Sequence, residues 1–239
     1  DCILADKNAA IEKILATASK LKGVTPVQLE EMVKRQCNVP FYNAKCVSLE
    51  QLVGDSDNLN SNFLEFIKAY SPSVQKILQD LKFKEEVEFM IKKGILFEVV
   101  KAFSEVDFHP ATTSPMAMGY IFEELVRKFS ESYDEHAGAH FTARDIIYLM
   151  AEILVAPKKN DIQNEGITAS IYDMAMGTSQ MLDCLSEKLL QIDEDAQLTE
   201  FGQELNEQTF AIAKANMLIK GGDAENMKHG NTLSDDKFT

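Results

Sequence analysis

Positive charge is in short supply in this chain. Only 24 Lys and Arg stand against 38 Asp and Glu in 239 residues, a formal net charge of -14. Nucleic-acid affinity rests on neutralising phosphates, so such a chain is a poor stand-alone partner for DNA or RNA. Any DNA contact is expected to be shared with another subunit. Cysteine is scarce as well. Cys2, Cys37, Cys46 and Cys184 are scattered without a CxxC pair, which argues against zinc and fits reduced thiols in a cytoplasmic protein. His109, His136, His140 and His229 do not fall at metal-ligand spacing either. No apolar run approaches the roughly 20 residues needed to span a bilayer, and no secretory signal pattern opens the chain, so no membrane is expected. The six prolines, Pro26, Pro40, Pro72, Pro110, Pro115 and Pro157, include no adjacent pair. The first residue is Asp1 rather than Met and the last is Thr239, so both ends are expected to be trimmed.

What is present divides in two. Residues 1 to about 130 read almost wholly as helix. Ile11, Ile14, Leu15, Ala18 and Leu21 form one apolar stripe, ended near Gly23. Thr25-Pro26 then opens a helix, with Thr25 as N-cap, Pro26 in the first turn and Gln28 closing a capping box over Leu29, Met32 and Val33. Ser48 and Gln51 repeat that pattern, Ser71-Pro72 starts a further helix, and Lys93-Gly94 stops another. A boundary is expected within 108–115, where two prolines and small residues interrupt the periodicity. Beyond it, Ile121 to Phe129 predict an amphipathic helix, 131–138 a polar loop, and Thr142 a cap for a helix carrying Ile146 to Leu154.

After residue 165 short strands alternate with helices. Ser170–Asp173 is a strand, Met181–Leu190 a helix, Leu198–Glu204 a strand, Glu207–Ile219 a helix and Asn226–His229 a last short strand. Alternation of this kind predicts a parallel sheet with helical crossovers. Ligands of such sheets bind at the carboxyl ends of the strands. Asp173 and the small-residue turn through Gly177, Thr178, Ser179 and Gln180 stand at one end, and Glu204 stands at the next. A turn that lets backbone approach a ligand, beside an acid able to accept from a ribose, describes a nucleoside-type ligand. An acid at a strand end is also commonly a solvated loop residue, and the pattern alone leaves both readings open. A hydrolase reading of Ser179 is set aside, because no G-x-S-x-G elbow surrounds it.

Five blocks carry a resemblance. Met118 to Phe129 matches the helix that leads into a known catalytic domain. Gly138-Ala139-His140-Phe141-Thr142-Ala143-Arg144 is similar to G-E-H-F-T-P-R, and Asp173 to Met181 to D-P-A-C-G-T-G-G-M. Phe201 to Asn206 with Thr209-Phe210-Ala211 is similar to F-G-Q-E-x-N-P-E-T-F-A, and Asn226 to Asp236 to N-I-x-x-G-N-T-L-S-D-D. In this order they resemble the modification subunits of type I restriction systems, a family of DNA adenine-N6 methyltransferases.

The resemblance implies a helical amino-terminal domain over 1–112. Residues 113–239 would then be the first part of a Rossmann-like, S-adenosylmethionine-dependent methyltransferase domain. It implies that Ala139, His140, Phe141, Thr142, Ala143 and Arg144 surround the methionine part of the cofactor together with Asp173, Gly177, Thr178, Ser179 and Gln180. Glu204 would hold the ribose, and Asn231 would lie near the adenine. It further implies DNA as substrate, reached through a complex with a specificity subunit and a restriction subunit. The family's N-P-P-F/Y catalytic segment is missing from these residues, so the chain is expected to be a fragment without a complete catalytic site. Departures from the family pattern fall at Ala139, Ala143, Met174, Met176, Ser179 and Gln180. Those at Met174, Met176, Ser179 and Gln180 motivate a rival reading, a methyltransferase-like scaffold that has lost the cofactor and only holds partners.

Overall fold

The computed structural model describes residues 2–20, 23–109, 111–132, 142–162 and 166–238. Two compact units divide the chain: Asp1–Met118 with Leu218–Gly222, and Gly119–Met217 with Asp223–Thr239. In chain order come α1 (Asn8–Ala18), α2 (Pro26–Cys37), α3 (Leu49–Gly54), α4 (Leu59–Lys68), α5 (Pro72–Asp80), α6 (Phe83–Lys93) and α7 (Leu96–Ser104). They are followed by α8 (Pro115–Ser132), α9 (Arg144–Val155) and a short α10 (Lys159–Ile162). The α/β part is β1 (Thr168–Asp173), α11 (Gln180–Ile192), β2 (Gln197–Glu204), α12 (Glu207–Lys220) and β3 (Met227–His229). A helical stretch followed by a parallel α/β segment is the expected organisation.

Local chemistry sets the helix ends of the first unit. The Thr25 and Ser48 side chains accept from the backbone of Gln28 and Gln51, whose own side chains accept from the cap residues' N–H groups. Both capping boxes therefore form as the sequence predicts. At Ser71 the mechanism differs. Its hydroxyl makes no cap bond; instead the buried Glu30 of α2 accepts from the Ser73 N–H at 3.2 Å and from the Ser73 hydroxyl. A carboxylate from a neighbouring helix thus meets the partial positive charge of the α5 amino end. Between α5 and α6 no glycine is available, and Lys82 takes the left-handed turn at φ 53. Gly94 does the same after α6, where the absence of a Cβ removes the strain. Leu52, Leu59, Phe63, Phe66, Val87 and Val100 belong to one apolar cluster, and Leu4, Ile11, Val33, Val39 and Tyr42 to a second.

The second unit is built on a parallel sheet in the order β1-β2-β3. Its register pairs Asp173 with Gly202 and Glu204 with His229, so the carboxyl ends of neighbouring strands lie side by side. Helix α11 packs on β1 and against α9. Ile147, Ala151 and Val155, four apart, are the buried stripe of α9. This helix starts later than a Thr142 cap requires. Ala143 occupies the cap position, and its carbonyl takes the N–H groups of Ile146 and Ile147. The segment after β3 has no regular structure but is tied down at many points. The Gly230 N–H reaches the Glu204 carbonyl at 3.0 Å, and the Tyr172 hydroxyl reaches Asp236 at 2.9 Å. The Phe238 ring sits edge-on to Tyr172 and Phe201, each with centroids 5.2 Å away.

Candidate ligand site at the strand ends

Between β1 and α11 the chain makes a tight turn with two residues in the left-handed region, Gly177 at φ 57 and Ser179 at φ 73. The turn is laced to both strands. The Met176 N–H donates to the Gln203 carbonyl at 3.0 Å, and the Ala175 N–H donates to the Asp173 carboxylate at 3.0 Å. Glu204 accepts from the Gly177 N–H at 3.0 Å with one oxygen and from the Asn206 N–H at 2.7 Å with the other. Because a carboxylate offers about four lone-pair directions, each oxygen keeps capacity for a further donor. Asn206 in turn caps α12, its side chain accepting from the Thr209 N–H at 3.0 Å.

These residues enclose a cavity of about 480 Å³, within the size range of small-molecule sites. Its walls include Thr142, Asp173, Gly177, Thr178, Gln180 and Glu204, with Ile147, Met150 and Met181 as the apolar side. Of the remaining residues singled out in the sequence, Ser179 is fully buried behind the turn and Asn231 is exposed, its side chain accepting from the Leu233 N–H. Ala143 is the α9 cap residue. Arg144 is engaged elsewhere, 3.4 Å from Glu123 and stacked over the Tyr120 ring at 4.2 Å. Tyr120 donates to Glu187, and burial together with that bond pushes its phenol up to about 12. Arg144 and Tyr120 thereby link α8, α9 and α11. Ala139, His140 and Phe141 lie outside the described residues. Sequence reasoning missed Asn206 and Thr209, which also line the cavity; their three-residue spacing is itself an N-cap signal.

Two carboxyl groups, Asp173 and Glu204, line the cavity. Burial raises the Asp173 carboxyl above its ordinary value, the Ala175 N–H pulls it back, and the neighbouring Glu204 raises it again. Because folding disfavours ionised Asp173, the penalty is complete above its raised pKa and vanishes below the ordinary carboxylate value. Asp173→Asn retains an oxygen for the Ala175 N–H and removes the charge. It is expected to raise the melting temperature of this unit at neutral pH, with the gain disappearing on acidification through that window; equal gains at neutral and strongly acidic pH would contradict this origin. Among the described residues, no group of three or more His, Cys, Asp or Glu side chains gathers as metal ligands would. Nor, among them, is any helix long and apolar enough to cross a membrane.

Comparison with known proteins adds to this geometry. The chain is 28% identical over 123 residues to the type I restriction enzyme MpnII methylase subunit of Mycoplasma pneumoniae, covering 52% of this chain and 21% of that protein. It is 26% identical over 141 residues to the MjaIX methylase subunit of Methanocaldococcus jannaschii, covering 59% and 23%. The matched stretches thus span less than a quarter of the length of these relatives. In fold it resembles the type I restriction-modification methyltransferase subunit of Streptococcus thermophilus, with a TM-score of 0.67 over 99% of this chain and 53% of that one at 18% identity. The N-6 DNA Methylase profile matches residues 113–239, which hold the sheet, the turn and the cavity. The chain belongs to the N-6 DNA methylase family.

Proposed function

We propose that this chain is the cofactor-holding part of a type I modification subunit that methylates adenine N6 in DNA with S-adenosylmethionine. The observation that carries the reading is the pairing of Glu204 with the Gly177 turn at the adjoining ends of β1 and β2, over a cavity of fitting size. Bound S-adenosylmethionine would supply an activated methyl group on a sulfonium. The two carboxylates of the cavity suit such a cation, and the open lone pairs of Glu204 suit the vicinal hydroxyls of its ribose. Thr142, Asp173, Gly177, Thr178 and Gln180 would line the rest of the ligand.

Residues 1–112 are assigned to a helical domain and 113–239 to the amino-terminal part of the methyltransferase domain. Methyl transfer needs a flipped adenine and a segment with acceptors for its amino group. The 239 residues contain no Pro-Pro pair, so the activity is proposed for a protein that carries this chain together with such a segment. The net charge of -14 fits a division of labour in which a specificity subunit reads the DNA and a restriction subunit completes a cytoplasmic complex.

The test is a calorimetric titration of S-adenosylmethionine into the protein. Saturable one-to-one binding is expected. Absence of both heat and thermal stabilisation at millimolar ligand would exclude the cofactor and leave the scaffold reading. Transfer of labelled methyl to adenine N6 by the full-length protein with its partner subunits tests the reaction itself.

A further inference from the structure

Ser179 occupies a backbone position that side chains disfavour. It is 0% exposed at φ 73, and it ends the turn whose neighbours Thr178 and Gln180 line the cavity. A left-handed residue with a Cβ persists only where its surroundings over-determine it. Backbone bonds account for part of this: the Ser179 N–H donates to the Met176 carbonyl at 2.8 Å, and its own carbonyl accepts from the Asp183 N–H at 3.1 Å. The rest comes from a distant residue. Asn216, on α12 and 1% exposed, directs its Nδ2 to the Ser179 hydroxyl at 3.0 Å and to the buried Asp183 carboxylate at 2.8 Å. One amide nitrogen therefore bridges the end of the turn and the first turns of α11.

The arrangement is not optimised for stability. The Oδ1 of the same Asn216 side chain is buried without a hydrogen-bond partner, which ordinarily counts against a fold. We infer that Asn216 is a positioning residue for the ligand turn: by clamping Ser179 it fixes a conformation that glycine would adopt unaided, and so aims Gly177, Thr178 and Gln180 into the cavity. Only its effect on cofactor affinity rests on the function proposed above; the effect on the turn does not.

Hydrogen exchange of the whole chain, compared for wild type, Asn216→Ala, Ser179→Ala, Ser179→Gly and Ser179→Gly/Asn216→Ala, tests it. Asn216→Ala is expected to speed exchange of amides in 176–183 by about tenfold, with the rates of the remaining unit and of the helical unit kept. Ser179→Ala, which deletes one hydroxyl and is mild enough to fold, should loosen the same amides. In the Ser179→Gly background Asn216→Ala should have a clearly smaller effect, because the clamp is no longer needed. Uniform loss of protection across the unit, unchanged exchange at 176–183, or an equal effect of Asn216→Ala in both backgrounds would each overturn the inference. Calorimetry on the same variants adds a separate arm. Affinity for S-adenosylmethionine should fall with loosening of the turn. A wild type that does not bind sinks the cofactor reading, while the exchange data still decide the role of Asn216.

Discussion

Glu204→Ala is expected to raise the dissociation constant for S-adenosylmethionine by about 100-fold. The variant removes both oxygens that organise the turn, one accepting from Gly177 and the other from Asn206. It also removes the acceptors proposed for the ribose. A hydrogen bond to a charged group contributes about 1.5–3 kcal/mol, and each 1.4 kcal/mol is a factor of ten in affinity. One lost ligand bond together with a loosened turn reaches the stated size. Glu204→Gln keeps one acceptor oxygen and the side-chain volume, and is expected to fall between wild type and alanine. Calorimetry checks the series. An alanine variant within about threefold of wild type would remove Glu204 from the site.

The second large effect concerns packing. Gly202 lies at the centre of the sheet, and a Cβ there would sit 2.2 Å from the Met176 sulfur, 2.9 Å from the Met227 sulfur and 3.2 Å from Leu182. All three side chains are buried, so none can swing into solvent. Gly202→Ala is expected to cost about 2–3 kcal/mol by overpacking, read as a lowered denaturation midpoint of this unit. Met176 also belongs to the ligand turn, so cofactor affinity should fall together with stability. Shortening the obstructing side chain provides the control. Gly202→Ala with Met176→Ala should be more stable than Gly202→Ala alone; if the pair is simply additive, the sulfur is not what the methyl group meets.

Much of this architecture was legible before any coordinates, for reasons that differ from element to element. Thr25 with Gln28 and Ser48 with Gln51 each carry their hydrogen-bonding solution within four residues, and both capping boxes form. The strands ending at Asp173 and Glu204 were readable because the alternation of short apolar runs with helices constrains the sheet, and their ends are adjacent. What the sequence hid was non-local. Nothing near Ser71 announces that Glu30 will serve its helix. Nothing around Arg144, placed by resemblance in the cofactor shell, announces Glu123 and Tyr120 as its partners. Asn216 reads as an ordinary polar residue in a helix until the fold brings it to Ser179, 37 residues earlier. The substitution of Ser179 for a family glycine was visible, and the structure puts its backbone in the left-handed region. The support that makes it tenable belongs to tertiary structure.

Gln203 carries a consequence of its own. Its carbonyl receives the Met176 N–H, while its fully buried side chain donates to the Asp235 carbonyl at 2.8 Å and accepts from the Lys237 N–H at 2.9 Å. The turn at the cavity and the stretch leaving β3 are therefore moored to one shared bollard. Neither can drift without tugging on the other, and whatever steadies the first also steadies the second.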